Sequence, residues 1–177
     1  EQQGGENKAA DEEKDVRSLE MGKPIEREIA GGQSHLYQIT LAAGQYLNIV
    51  VEQRGVDVVV TLVGPDGKKL IEVDSLDGTQ GPEPVSWIVE TAGQYRLGVR
   101  SLKKDAKPGR YEAKIIELRA AIERDRLLME ARALFNESSS LRNKEKFLEA
   151  IPLAERALAI EEKALGPEHP DIVVSLN

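Results

Sequence analysis

Residues 94–101 read QYRLGVRS, and their pattern is repeated through most of the chain. Tyr95, Leu97 and Val99 alternate with polar residues. Successive side chains of a β-strand point to opposite faces, so this alternation places apolar groups on one face and polar groups on the other. The pattern predicts a half-buried antiparallel strand with Tyr95, Leu97 and Val99 in a core.

The same alternation recurs on both sides of this stretch, and turn-forming pairs such as Gly31-Gly32 and Pro108-Gly109 separate the segments. It is found in SHLYQITL, QYLNIVVEQ, VDVVVTLV, PVSWIVE and RYEAKIIEL. An apolar sheet face must be buried against another layer. We therefore predict an all-β sandwich of seven to eight antiparallel strands over residues 21–118, with Trp87 also in its core.

One tetrapeptide, AGQY, occurs twice, at Ala43–Tyr46 and at Ala92–Tyr95, and KPGRY at Lys107–Tyr111 is a looser echo. Each copy opens a predicted strand. Two interpretations remain open. The motif is either a common turn followed by an aromatic residue, or a recurring corner in which the tyrosine packs and bonds its hydroxyl locally.

Beyond residue 118 the apolar spacing changes to three and four, and good helix formers dominate. We predict two helices at about 119–142 and 144–165, the second ended by Gly166-Pro167. Small residues at Ala150, Ala154 and Ala157 allow a close approach of the two helices. The pattern predicts an α-helical hairpin, and residues 119–177 form a helical domain.

The two ends of the chain differ from its middle. Residues 1–20 are rich in charge, Gly and Gln, which predicts a disordered acidic leader. At the other end, Pro170-Asp171 is a start signal for a further helix, and the chain reaches Asn177 soon afterwards. We expect the sequence to be the front part of a longer protein. It begins with Glu1, so either a leader peptide was removed or the chain was trimmed.

The bulk composition argues against several classes of function. The chain has 177 residues, a net charge of −7, no cysteine and two histidines. The acidic balance argues against nucleic-acid binding, and no apolar run has the length of a membrane span. Disulfides and thiolate zinc sites are excluded. Neither a nucleophile–base set nor a phosphate-binding loop is recognisable, so we predict no enzyme activity and no cofactor.

The best metal candidates are acids at the ends of predicted strands. They are Asp57, Asp74 and Asp77, with Asp66 nearby, and carboxylate oxygens suit calcium. The alternative interpretation is that these acids bond locally within turns. His35 is expected to be an exposed strand residue, and His169 is expected to support a turn.

A family resemblance supports the sandwich. ETAGQYRLGVRS followed by GRYEAKI looks like the closing hairpin of the bacterial pre-peptidase C-terminal domain, and GQSHLYQITLAAGQYLNIVVEQ is similar to its opening strands. The resemblance implies a jelly-roll-like fold, the calcium binding found in some relatives, and export to the periplasm or the cell exterior of a bacterium. A cytoplasmic location stays open.

The helical part resembles a tetratricopeptide repeat of the kinesin-light-chain type. Two positions depart from that pattern: Glu145 stands where the family has a turn glycine, and Ala154 where it has an aromatic residue. The resemblance implies one repeat and the start of a second, with Asn136 and Asn177 as partner-binding residues. It rests on Leu134, Phe135, Asn136, Ser138, Leu141, Phe147, Ala150, Pro152, Ala157, Leu158 and the tail ALAIEEKALGPEHPDIVVSLN.

These observations favour a non-catalytic protein-interaction or scaffolding module at the front of a larger tetratricopeptide-repeat protein. Two alternatives remain: an accessory region of a secreted peptidase or another enzyme, and a calcium- or carbohydrate-binding sandwich. Repeats bury their faces against neighbours. We therefore expect self-association through an apolar edge of the C-terminal helices. Its residues are Ala154, Leu158 and Ile160, partly covered by Ile172, Val173 and Leu176.

Overall fold

The computed structural model describes residues 15–75 and 78–166. The chain forms two compact units, Glu1–Ala120 and Ala121–Asn177. The first unit is a β-sandwich and the second is a pair of helices.

Nine strands form the described part of the sandwich, in two sheets. One sheet has the order β1-β3-β8-β5-β6 and the other has the order β2-β9-β4-β7. The strands are β1 (Arg17–Ser18), β2 (Ile25–Ile29), β3 (Ser34–Leu41), β4 (Gln45–Arg54), β5 (Val58–Val63), β6 (Lys69–Val73), β7 (Gln80–Ile88), β8 (Gly93–Ser101) and β9 (Gly109–Ala120).

Successive strands change sheet at every step except the β5–β6 hairpin. All pairings are antiparallel apart from β1 beside β3, which is parallel. The predicted β-sandwich is confirmed. It departs from the prediction in its parallel β1–β3 pair and in having nine described strands rather than seven or eight antiparallel ones.

The strand that the sequence missed, β1, lies within the predicted disordered leader. The N–H of Leu19 donates to the carbonyl of Gln38 at 3.0 Å, and the Leu19 side chain is only 2% exposed. The leader prediction was therefore wrong from Arg17 onward. A two-residue strand with one buried leucine is too short to produce a detectable period. The rest of the predicted leader lies outside the described residues, apart from Asp15 and Val16.

The core lies between the two sheets and follows the alternation. Tyr95, Leu97 and Val99 are all buried, as predicted. Trp87 is only partly buried against the core, so its assignment as a core residue was too simple. It lies beside a cleft that is described below.

Strand β9 runs to Ala120, past the predicted end of the sandwich at residue 118 and the predicted helix start at 119. Arg119 lies opposite Tyr46 of β4, with its guanidinium carbon 4.6 Å from the ring centroid. This cation–π contact between neighbouring strands favours an extended backbone here. The helix prediction therefore began too early.

The second unit is a hairpin of α1 (Glu123–Asn143) and α2 (Phe147–Leu165). The seam between the helices is lined by small buried side chains, and the hydroxyl of Ser138 donates to the carbonyl of Ala150 at 2.9 Å. The buried alanines are Ala131, Ala150 and Ala157. The helical hairpin is confirmed, with α2 beginning at 147 rather than 144, and its tetratricopeptide type stays a prediction.

In the turn between the helices, the backbone is strained at Glu145. Its φ is 61°, and it is the one described non-glycine residue with positive φ. The N–H of Lys146 donates to the carbonyl of Leu141, and that of Glu145 donates to the carbonyl of Arg142, both at 3.0 Å. These two bonds form a Schellman motif, in which glycine is preferred at the Glu145 position.

We expect Glu145→Gly to stabilise the helical unit by about 0.5–1 kcal/mol. A left-handed backbone costs a residue with a Cβ about 1–2 kcal/mol, and the greater freedom of glycine in the unfolded chain offsets part of that gain. Thermal unfolding followed by helical circular dichroism measures the change. Glu145→Ala is the control, because it removes the same charge and keeps the Cβ. Equal effects of the two variants would contradict the backbone explanation.

Candidate functional site

The predicted calcium residues are only partly brought together. Asp57 lies before β5 and Asp74 follows β6. Burial raises the pKa of Asp57, the nearby Asp74 carboxylate raises it further, and Lys103 opposes both. Asp77 lies outside the described residues. Within residues 15–75 and 78–166, no group of three or more His, Asp or Glu side chains is arranged to hold a metal. The calcium site stays a prediction.

Asp66 fits the local alternative. One of its carboxylate oxygens accepts a hydrogen bond from the N–H of Lys68 at 3.1 Å, and the other lies 3.1 Å from the Lys68 ammonium. This pattern is that of a turn residue that bonds to its own turn.

A buried carboxylate that the sequence analysis missed is hydrogen-bonded to Ser75, the residue after Asp74. Glu83 of β7 has no exposed surface. It accepts hydrogen bonds from Gln53 Nε2 at 2.9 Å and from the N–H and the hydroxyl of Ser75 at 2.8 Å each. The other end of the Gln53 amide accepts from the N–H of Val58 at 2.9 Å. The network ties β4, β5, β7 and the segment after β6 together.

A signal for Glu83 was present in the sequence. In PEPVSWIVE, Glu83 lies two and four residues before Val85 and Trp87, so the period of two places it on their inward face. An acid at an inward position requires hydrogen-bond donors, because a buried charge without them is costly. The sequence does not reveal that these donors are Gln53 and Ser75.

Tyrosine and histidine side chains join the two sheets at another place in the core. The hydroxyls of Tyr37 on β3 and Tyr111 on β9 lie 2.5 Å apart, and Nδ1 of His35 lies 2.7 Å from the Tyr111 hydroxyl. Both tyrosines have no exposed surface. The expectation of an exposed His35 was wrong, because His35 shares the inward face of β3 with Tyr37.

Burial determines the protonation of this cluster. It raises the pKa of Tyr111 and that of Tyr37. Burial and, to a smaller extent, the positive charge of Arg27 together lower the pKa of His35 to about 4. At neutral pH the three groups are therefore uncharged, and they act as a hydrogen-bonded bridge between the sheets.

We expect the sandwich to lose stability as the pH falls from 6.5 toward 4, because His35 titrates near 6.5 when unfolded and near 4 when folded. The unfolded state then binds more protons, so the free energy of unfolding decreases. The full shift equals about 3 kcal/mol, and solvent screening of this partly buried ring reduces the expected loss to about 1–2 kcal/mol. Urea unfolding across this range measures it.

His35→Gln should flatten this dependence, since glutamine does not titrate. His169 lies outside the described residues, and His169→Gln is the matched control that should keep the slope. An unchanged slope in His35→Gln would contradict the assignment.

The repeated AGQY motif has two different outcomes. The hydroxyl of Tyr95 donates to the carbonyl of Thr91 at 2.8 Å, which is the predicted local corner. Tyr46, in the first copy, instead carries the stacked Arg119. The corner interpretation therefore holds for the second copy only.

A surface cleft lies between the β5–β6 turn and the β7–β8 turn. It has a volume of 180 Å³, and Trp87 and Leu70 contribute its largest apolar side chains. The two turns approach closely at Gly93. A Cβ atom on this residue would lie only 2.8 Å from the Pro65 side chain, so a glycine is needed here. The lining residues are Gly64, Pro65, Asp66, Leu70, Trp87, Glu90, Thr91 and Tyr95.

The helical unit exposes large apolar side chains at the start of α2. Leu148 is 88% exposed, Phe147 is 55% exposed and Ile151 is 52% exposed. We call these three residues the α2 apolar patch.

The predicted apolar edge lies further along the second helix. Its residues Ala154, Leu158 and Ile160 are each partly exposed. Self-association through this edge stays a prediction. Its remaining residues, Ile172, Val173 and Leu176, lie outside the described part of the chain. Asn136 is exposed on α1, and Asn177 is outside the described residues, so their partner-binding role stays a prediction.

No protein-family model and no curated protein sequence matches the chain. Solved structures do resemble it. The pre-peptidase C-terminal domain of a collagenase from Bacillus anthracis has 16% identity and a TM-score of 0.46, over 56% of this chain and 93% of that one. A periplasmic inhibitor of g-type lysozyme from Aeromonas hydrophila has 12% identity and a TM-score of 0.42, over 56% of this chain and 95% of that one.

A family 35 carbohydrate-binding module from an environmental isolate has 16% identity and a TM-score of 0.35, over 58% of this chain and 80% of that one. The structural neighbours thus include the domain type that the sequence resembles, together with other binding domains. These likenesses are too distant to carry an argument about ligand or activity. In the described part of the chain, neither helix is long and apolar enough to cross a membrane.

Proposed function

We propose that this protein is a non-catalytic interaction module that binds a protein partner through the α2 apolar patch. The observation that carries the proposal is the exposure of Phe147, Leu148 and Ile151, which are 55%, 88% and 52% exposed. An exposed cluster of large apolar groups is the usual mark of a protein-binding surface.

The patch is not needed to hold the hairpin together. The seam between α1 and α2 uses the small side chains of Ala131, Ala150 and Ala157, with Ser138 hydrogen-bonded across it. Residues three and four apart lie on one side of a helix, so Leu148 and Ile151 form a continuous surface. Covering these side chains would recover about 1.5–3 kcal/mol for each one that is fully buried.

The partner that fits this surface best is an amphipathic α-helix. Such a helix places apolar residues at a spacing of three and four, which matches the patch. The Lys146 ammonium lies 3.1 Å from Glu149, and this ion pair forms a polar rim beside the patch. In the proposal, Asn136 contributes to the same partner surface, and the protein acts outside the cytoplasm.

We expect Leu148→Glu to abolish association through the patch. In the purified chain, the helix that occupies the patch is supplied by a second copy, so sedimentation equilibrium should detect a dimer of the unaltered protein. A buried glutamate in that contact is strongly unfavourable, and the variant should be monomeric.

Met21→Glu is the matched control. Met21 is 51% exposed and belongs to the sandwich unit, so this change adds the same charge outside the helical unit. It should leave the dimer intact. A monomeric unaltered chain, or equal dissociation by both variants, would contradict the proposal.

A further inference from the structure

We infer that the cleft between the β5–β6 and β7–β8 turns binds a neutral saccharide, with a pyranose ring stacked on Trp87. This inference concerns the sandwich alone and does not depend on the proposed role of the helices.

Trp87 is placed as an aromatic platform. Its inward-facing neighbours on and after β7, Val85 and Val89, are 0% and 1% exposed. Trp87 lies between them on the same face but is only partly buried, because it lines the cleft. Leu70 and Pro65 extend the apolar lining. A pyranose ring has an apolar face of C–H groups, and such a face packs well on an aromatic ring.

The rim of the cleft supplies hydrogen-bonding groups for sugar hydroxyls. Glu90 is exposed at the rim, and Asp66 and Thr91 also line the cleft. Carboxylates accept hydrogen bonds from hydroxyls, and these charge-assisted bonds are stronger than neutral ones. An apolar face with a few polar groups at its rim suits a ligand that has an apolar face and hydroxyls around its edge.

A peptide strand fits this place less well. Two free edges contribute to the cleft, β6 of one sheet through Leu70 and β7 of the other through Trp87. Pro82 and Pro84 lie on β7. Proline has no N–H, so a strand added to β7 would find two donors fewer on that edge. One of the two rim carboxylates, Asp66, is paired with Lys68 at 3.1 Å, which reduces the negative charge available to a cationic ligand. The 180 Å³ volume is small and suits a single ring with its neighbours extending into solvent.

The chain contains a single tryptophan, so intrinsic tryptophan fluorescence reports on this cleft directly. Titration with cellotetraose and with chitotetraose at millimolar concentrations should give a saturable change in emission for at least one of them. Glu90→Ala should weaken that binding by about tenfold, because one charge-assisted hydrogen bond is lost. Glu90 is exposed, so this change leaves the core intact.

The matched control is Glu28→Ala, an exposed glutamate on β2, which should bind the saccharide as the unaltered chain does. Near-ultraviolet circular dichroism verifies the fold of both variants. Absence of any emission change with both saccharides overturns the inference, as does equal affinity in Glu90→Ala. A response to tri-lysine in place of the saccharides also overturns it and identifies the cleft as a cation site.

Discussion

Replacing Glu83 by alanine is expected to lower the free energy of unfolding of the sandwich by about 3–5 kcal/mol. The side chain has no exposed surface and accepts three hydrogen bonds of 2.8–2.9 Å from Gln53 and Ser75. Alanine leaves the buried Gln53 amide and the partly buried Ser75 N–H without an acceptor. Each unsatisfied group costs about 1–3 kcal/mol.

Urea unfolding followed by the emission of Trp87 measures this loss. Glu83→Gln keeps the size of the side chain but places an NH₂ group against one set of donors, so it should lose about 2 kcal/mol. Glu28→Ala, on the exposed side of β2, should change stability by less than about 0.5 kcal/mol. A loss in Glu83→Ala as small as that of Glu28→Ala would show that the network contributes little.

Replacing Leu97 by alanine is expected to cost about 3–4 kcal/mol, which is more than the truncation of the larger Trp87. Leu97 lies on β8, the central strand of its sheet, opposite Tyr37 and Leu62 on the neighbouring strands. All three side chains have no exposed surface. The strands around this position cannot close the space that alanine leaves, so a cavity remains.

Trp87→Ala opens its space to the cleft, where water enters without leaving an empty cavity. Its cost should be about 2 kcal/mol, below the range for a fully buried tryptophan. Unfolding of both variants is followed by far-ultraviolet circular dichroism, because one of them lacks the tryptophan. A larger loss for Trp87→Ala than for Leu97→Ala would place Trp87 in the closed core after all.

The burial of side chains that recur at a short sequence period could be predicted from the sequence alone. The alternation of Tyr95, Leu97 and Val99 predicted their common burial, and the small residues Ala150 and Ala157 predicted the helical seam. Both predictions depend on local backbone geometry. A strand repeats every two residues and a helix every 3.6, so a side chain's face follows from its neighbours in sequence.

Less of the candidate site could be predicted in this way. The cleft joins residues of the β5–β6 and β7–β8 turns, and the sequence analysis placed its tryptophan simply in the core. The exposed patch at Phe147 and Leu148 was missed, because an apolar spacing of three and four does not tell which apolar residues the partner helix covers. In the hairpin, small side chains are buried in the contact between the two helices, and these larger side chains remain exposed.

The period of each segment, the sandwich, the helical hairpin and most of the core follow from the order of the residues. Which polar groups meet inside that core depends on how the strands come together in three dimensions. His35 and Tyr111 are 76 residues apart in the chain, and Gln53 and Glu83 are 30 apart, yet each pair is hydrogen-bonded. Local backbone geometry determines the direction of a side chain, whereas its partner depends on which strands pair and which faces pack together.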